Sequence, residues 1–224
     1  MSGVTARLLS VNIGRAHTQR GVRGKPETTG IGKLPQTGPV RVRPPGPRQG
    51  GLGSGLEGDF IGDGKHHGGD DQAVYAVGRE DLDRWVERLE RHVDPGTFGE
   101  NLTTVGIDVN EARVGERWRV GDTVELVVTG PRIPCQTFQT WMDVPGWVKT
   151  YTADARPGAY LRVAVAGEIR AGDPITVLHR PAHEVTVSLA FRAMTTQRDL
   201  VATVATAGAD LSDELRELVS RARV

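Results

Sequence analysis

The sequence predicts a mainly β fold with helices, in which residues 1–180 form a strand-rich domain and residues 181–224 a small three-helix region. Three observations predict it. Short runs of Val, Ile, Leu and Thr with a period near two recur through the first 180 residues, separated by Gly and Pro. The clearest helical pattern before that point is one stretch, in which Leu82, Trp85, Val86, Leu89 and Val93 share a face. From Pro181 onward the period changes from two to that of helices.

Taken in order, residues 4–13 alternate imperfectly and read as an opening strand. Residues 14–25 are polar and glycine-rich, and read as a loop. Residues 28–35 form a short extended piece ended by proline, and residues 39–43 a strand. Residues 44–58 are a Gly/Pro-rich loop. Inside it, Gly53-Ser54-Gly55-Leu56-Glu57-Gly58 has dinucleotide-binding spacing, but that turn needs a strand before it and a helix after it. Here a loop precedes it and residues 59–63 read as a strand, so the motif is set aside.

Residues 65–72 form a polar knot around His66, His67, Gly68, Gly69 and Asp71, feeding a strand at 73–77. Adjacent histidines do not share a helix face, and no other His stands at ligand spacing. The glycines let backbone approach either a ligand or a neighbouring loop closely. A helix follows over 80–92, with acids in its first turn and bases near its end, stopped by Asp94-Pro95-Gly96. Strands are expected at 101–105, 117–120 and 123–128, then a helix over 138–151 broken at Pro145-Gly146. Strands at 159–165 and 174–178 are expected to be joined as a hairpin. Helices at 185–194, 197–206 and 212–223 close the chain. They are too few to bury much alone, so they should dock on the β domain or on a second subunit in a homodimer.

Composition narrows the function classes. At 38% hydrophobic and 25% charged, the chain is an ordinary globular protein. No apolar run approaches the ~18 residues of a membrane span, and residues 1–10 lack a signal-peptide core. The expected location is cytoplasmic, with no membrane partner. The 28 basic and 28 acidic residues cancel, so there is no general reason to bind nucleic acid. Residues 1–50 nonetheless carry nine Lys/Arg against one acid, and residues 51–100 five against twelve. The basic block either lines a pocket for an anionic group or faces the acidic block.

The single cysteine, Cys135, excludes an internal disulfide and an iron–sulfur cluster held by this chain alone. It follows Pro131-Arg132-Ile133-Pro134, directly after a β-forming run. The two prolines stiffen this turn and deliver the thiol at the rim of a sheet. By itself such a thiol is more often a small buried hydrophobe than a ligand.

Five motifs stand in order: Lys33 before Pro35; His67-Gly68-Gly69-x-Asp71; Phe98-Gly99-Glu100-Asn101; Gly115-Glu116 with Gly121-Asp122; and Pro131-Arg132-x-Pro134-Cys135. Together they resemble the MOSC domain family, named for the C-terminal domain of molybdenum-cofactor sulfurases, and most of all its YiiM-like branch with a C-terminal 3-alpha domain. The resemblance implies a β-barrel-type domain that binds a molybdenum cofactor of molybdopterin type. Cys135 would be the metal ligand. Lys33, His67, Gly68, Gly69, Asp71, Glu100, Asn101 and Arg132 would surround the cofactor, with His67 and Glu100 supplying protons. Arg132 would pair with the cofactor phosphate or lower the thiol's pKa. The activity implied is reduction of N-hydroxylated compounds of the hydroxylaminopurine type. The chain has no redox motif of its own, so electrons would come from an external donor protein. Two other readings of the same residues are a sulfur carrier with a persulfide on Cys135 and a non-catalytic molybdopterin-binding module.

Overall fold

The structure, a computed structural model, describes residues 5–21 and 24–222. Val4 of the expected first strand and Arg223 of the expected last helix lie outside the described residues. The strands are β1 (Arg7–Ile13), β2 (His17–Arg20), β3 (Pro26–Thr29), β4 (Leu34–Pro35), β5 (Val40–Val42), β6 (Val74–Gly78), β7 (Leu102–Val105), β8 (Arg117–Val120), β9 (Val124–Pro131), β10 (Ala159–Val165), β11 (Gly167–Ile169) and β12 (Ile175–His179). The helices are α1 (Arg79–Leu89), α2 (Gln136–Met142), α3 (Trp147–Asp154), α4 (Val187–Thr195), α5 (Val201–Val204) and α6 (Asp213–Ala222). None of them is long and apolar enough to cross a membrane.

Eight strands form one mixed sheet in the order β12-β8-β9-β10-β6-β7-β1-β4. Only the β6–β7 pair is parallel among these ladders. All five residues of β6 are buried, as expected for a strand covered on both faces. The expected barrel is met only as a mixed sheet. The start of β1 meets the segment leading into β12 through one bridge, Arg7 with Pro174, and three backbone hydrogen bonds, Ile175 N to Ala6 O at 2.8 Å, Leu8 N to Asp173 O at 2.9 Å and Gly172 N to Leu8 O at 2.9 Å, not through a strand ladder.

Several local expectations change. Residues 17–20, expected in a loop, are β2 and pair with β3 as an antiparallel ribbon. Their polar composition hid them, because the ribbon is only partly buried. Residues 59–63 are not a strand: Asp59 turns inward to take a hydrogen bond from Gly14 N at 2.7 Å. α1 ends at Leu89, where Glu90 adopts φ 50°, sooner than the expected end at 92. Past that point tertiary bonds hold the chain: Arg79 Nη1 donates to Val93 O and Arg91 Nη2 to Met142 O. β10 and β12 do not form a hairpin. β10 pairs with β9 and β6, β12 pairs with β8, and the intervening β11 pairs with β5.

Three apolar clusters hold these elements. One lies on the sheet and includes Leu8, Val74, Trp118, Leu126 and Leu161. A second joins α1, α2 and α3 through Trp85, Phe98, Phe138, Trp147 and Tyr151. Their rings meet edge to face at 4.7–5.7 Å for the closest pairs, which adds to area burial. The third gathers α4, α5 and α6 around Ala190, Val204 and Leu215, with Val114 from the strand-rich part. The Thr186 side chain caps α4 by accepting from Leu189 N at 3.1 Å.

Candidate functional site

The site grows from the end of β9. That strand runs to Pro131, further than its apolar pattern suggested, and Arg132 follows it immediately. Pro134 carries the chain to Cys135, which stands in extended conformation (φ −123°) as the residue before α2. The thiol is therefore held between the end of an interior strand and the first turn of a helix, where unpaired N–H groups favour a thiolate.

A cavity of about 440 Å³ opens beside it. Of the residues named from the sequence, Lys33, His67, Gly68, Asn101, Arg132 and Cys135 line this cavity. Burial pushes the Cys135 thiol up, but the His67 ring next to the sulfur, the Arg132 charge and the Phe138 N–H together lower it to about 6. Arg132 is 6% exposed. Its guanidinium lies 4.0 Å from the centre of the Phe138 ring and 5.3 Å from that of Tyr75. Burial opposes its charge, yet Tyr75, Cys135 and Tyr160 hold its pKa above the usual arginine value. Among the described residues it forms no ion pair with a carboxylate, and Nη1 has no hydrogen-bond partner. A buried cation without an anion is costly, so this wall is built for negative charge, with the Cys135 thiolate as its nearest source.

The lining also includes a polar cluster around Asp59, whose side chain is almost completely buried. It pairs with Lys33, and accepts from Ser54 Oγ at 2.6 Å and Asn101 Nδ2 at 2.9 Å. Asn101 Oδ1 in turn accepts from Tyr75 N at 3.1 Å. Asp59 and Tyr75 were missed from the sequence. No local signal marks Asp59, because its partners Lys33 and Asn101 are 26 and 42 residues away. Tyr75 and Tyr151 both donate to Pro157 O, at 2.8 and 2.9 Å. Burial pushes Tyr75 far up and Tyr151 up to about 12, so both remain neutral donors.

Three named residues are not brought to this cavity. Glu100 is fully buried and accepts from Gly96 N at 2.5 Å, Phe98 N at 3.0 Å and Thr103 Oγ1 at 2.9 Å. Burial pushes its carboxyl up against those bonds. Its work is to close the 96–100 turn, which in turn receives Lys33 N on Gly96 O. Asp71 pairs with Arg162 and accepts from Asp213 N at 3.0 Å, pinning the start of α6 to the sheet. Gly69, at φ 82°, lets the turn pack on Arg48, where a Cβ would come within 2.8 Å of Arg48 N. Gly68, at φ 85°, likewise approaches Gly53 O. Of the two readings open for these glycines, the close neighbour is thus another loop.

A bare metal ion finds little here. Among the described residues no group of three or more His, Cys, Asp and Glu is placed to hold one. The donor set of one lowered thiol beside an unpaired guanidinium instead suits a metal that brings other ligands and negative charge of its own.

The family model for the MOSC domain matches residues 63–176. The uncharacterized protein YflK of Bacillus subtilis (strain 168) is 30% identical over 185 residues, spanning 83% of this chain and 79% of that one. A protein of Gibberella moniliformis named "Reductase" is 31% identical over 179 residues, spanning 78% of this chain but 29% of its own length. The crystal structure of YiiM from Geobacillus stearothermophilus superposes with a TM-score of 0.75 at 25% identity, covering 96% of this chain and 98% of that one.

Proposed function

This chain belongs to the MOSC domain family, in its YiiM-like branch, and from that premise we propose that it binds a molybdenum cofactor of molybdopterin type in the 440 Å³ cavity and reduces N-hydroxylated compounds there. The observation that carries the proposal is the buried, carboxylate-free Arg132 beside the lowered Cys135 thiol. A phosphate-bearing, sulfur-rich anion matches both groups at once. The cofactor, when bound, supplies two dithiolene sulfurs and two-electron chemistry at molybdenum.

The chain's own residues do the rest. Cys135 offers the metal a soft anionic ligand, already deprotonated at neutral pH because of Arg132 and His67. Lys33, held by Asp59, and the Asn101 amide present polar groups to the pterin and phosphate. Cleavage of an N–O bond, R–NHOH with two electrons and two protons giving R–NH₂ and water, consumes protons at the substrate oxygen. His67 lines the cavity and is the side chain suited to deliver them; Glu100 is not, since its oxygens are committed to the 96–100 turn. The electrons come from a separate donor protein.

The test is metal and pterin analysis of protein expressed in a cofactor-competent host, wild type beside Cys135→Ala. The expected result is stoichiometric molybdenum and pterin in wild type, with loss of molybdenum and of hydroxylamine reduction in the variant. Wild type with neither component removes the proposal. Labelled sulfur on Cys135 without molybdenum would move the assignment to a persulfide carrier.

A further inference from the structure

The basic block at the start of the chain is not absorbed by the site. Arg15, Arg20 and Lys25 neither line the cavity nor pair with a carboxylate among the described residues. All three are exposed. They stand on or beside the β2–β3 ribbon, which has no third strand.

This ribbon forms part of the cavity wall. Glu27, Thr28 and Thr29 of β3 line the cavity, and Gln19 of β2 donates to Thr137 O of α2 at 3.1 Å. Thr28, Gly62 and Asp63 line the cavity and are also exposed, so the cavity opens here. The His17 ring lies 5.5 Å from that of Trp141. Trp141 donates to Thr97 O at 2.8 Å and packs on Gly32, where a Cβ would strike the indole. It is nonetheless 37% exposed, and Leu34, two residues past Gly32, is 64% exposed. On the other side of the ribbon, Gly62 packs on Thr28 O and leads to Lys65, which is exposed and forms no ion pair among the described residues.

The charge of this face is one-sided. Apart from the buried Lys33–Asp59 pair, its acids are Glu27, which accepts from Gln19 Nε2 at 2.7 Å, and Asp63, which pairs with His66 at 2.7 Å. Arg15, Arg20, Lys25 and Lys65 have no such partner. We propose that the ribbon, Trp141, Leu34 and Lys65 form the docking surface for a small, acidic, flavin-bearing electron carrier of flavodoxin type. An exposed Trp and Leu make the apolar centre, and the free cations make a rim that attracts carboxylates. A second copy of this chain would set like charges against each other, and a nucleic acid finds few cations on a chain of zero net charge. The six residues from Cys135 to Trp141 span about 9 Å along the axis of α2, so a carrier docked on Trp141 lies close to the thiol. Each encounter passes one electron, a flavin hydroquinone becoming the semiquinone, and two encounters supply the two electrons that N–O cleavage consumes. The carrier's task rests on the proposed function, but the docking face does not.

The experiment is calorimetric titration of the holoprotein with flavodoxin at ionic strengths of about 0.01 M and about 0.15 M. It compares wild type, the double variant Arg20→Glu with Lys25→Glu, Leu34→Asp, and Arg198→Glu in the three-helix region as control. Saturable binding is expected in wild type, weakened roughly tenfold at the higher ionic strength. The double variant and Leu34→Asp should each bind roughly tenfold more weakly than wild type, and the control as wild type does. Reduced flavodoxin at low concentration should pass its electrons to wild type roughly tenfold faster than to the double variant. Binding that is absent in wild type, indifferent to ionic strength or equal in all four proteins overturns the docking face, and equal electron-transfer rates overturn its task. A single-stranded oligonucleotide bound as tightly as flavodoxin, or a dimer of this chain that Leu34→Asp dissolves, overturns the choice of occupant. Molybdenum and pterin are measured on the same samples. Binding that follows the prediction in protein lacking both components sinks the proposed function and leaves the docking face. Full cofactor with binding equal in all four proteins does the reverse.

Discussion

Replacing Arg132 by Met tests the electrostatic core of the site directly. The substitution keeps the length of the side chain against Phe138 but removes the charge that faces the thiol. Burial still pushes Cys135 up, and only the His67 ring and the Phe138 N–H remain to lower it. An adjacent opposite charge is worth about 1–3 pKa units, so a rise of about 2 from the present value is expected. At pH 7 the thiolate fraction then drops from about 90% to about 10%, and alkylation slows roughly tenfold, somewhat less after allowing for the greater nucleophilicity of a more basic thiolate. The assay is the rate of iodoacetamide alkylation against pH in cofactor-free protein, where Cys135 is the single thiol. Stability gives a second readout. The folded thiol titrates at about 6 and the unfolded one near 9.0, so its contribution is complete above pH 9 and is lost as pH falls through 6. The wild-type Tm should therefore gain on that of Arg132→Met between pH 6 and 9. An alkylation midpoint that stays near 6 in the variant would refute the role given to Arg132.

The other predictions concern residues that shape the site from outside. Glu100→Ala strands the Gly96 and Phe98 N–H groups in the interior and should cost about 3 kcal/mol in urea denaturation; a loss under about 0.5 kcal/mol would contradict the structural role assigned to it. Asp71→Ala removes the anchor on Asp213 N and Arg162, so amide exchange should accelerate in the first turn of α6 while β6 stays protected; equal protection in both proteins would mean that α6 is held elsewhere. Arg156→Ala leaves Asp81 buried without its closest cation and should destabilise by about 3 kcal/mol, read from chemical denaturation. Arg156→Lys should restore part of that loss, and no difference between the two variants would argue against an ion pair.

Much of the fold was legible because it depends on local pattern. The face shared by Leu82, Trp85 and Leu89 produced α1, and the break at Pro145-Gly146 separated α2 from α3. The errors fall where tertiary contact overrides composition. A polar segment became β2 because β3 lay opposite it, and an apolar-looking segment became a loop because Asp59 found partners in the interior. The expected β10–β12 hairpin failed for the same reason, since β8 and β9 offered better edges.

For the site, the order of motifs along the chain was enough to name Lys33, His67, Gly68, Asn101, Arg132 and Cys135, and the structure gathers these around one cavity. The sequence by itself determined that a lone thiol follows a stiffened arginine turn, and which family that turn belongs to. Only the tertiary structure decided that Arg132 has no carboxylate partner among the described residues, and that Glu100 and Asp71 serve the scaffold. The physical reason is range. Turn chemistry and periodicity act over a few residues and leave a mark in the sequence. Burial and pairing depend on residues as far apart as the 142 positions between Asp71 and Asp213, and become visible only when the chain has closed on itself.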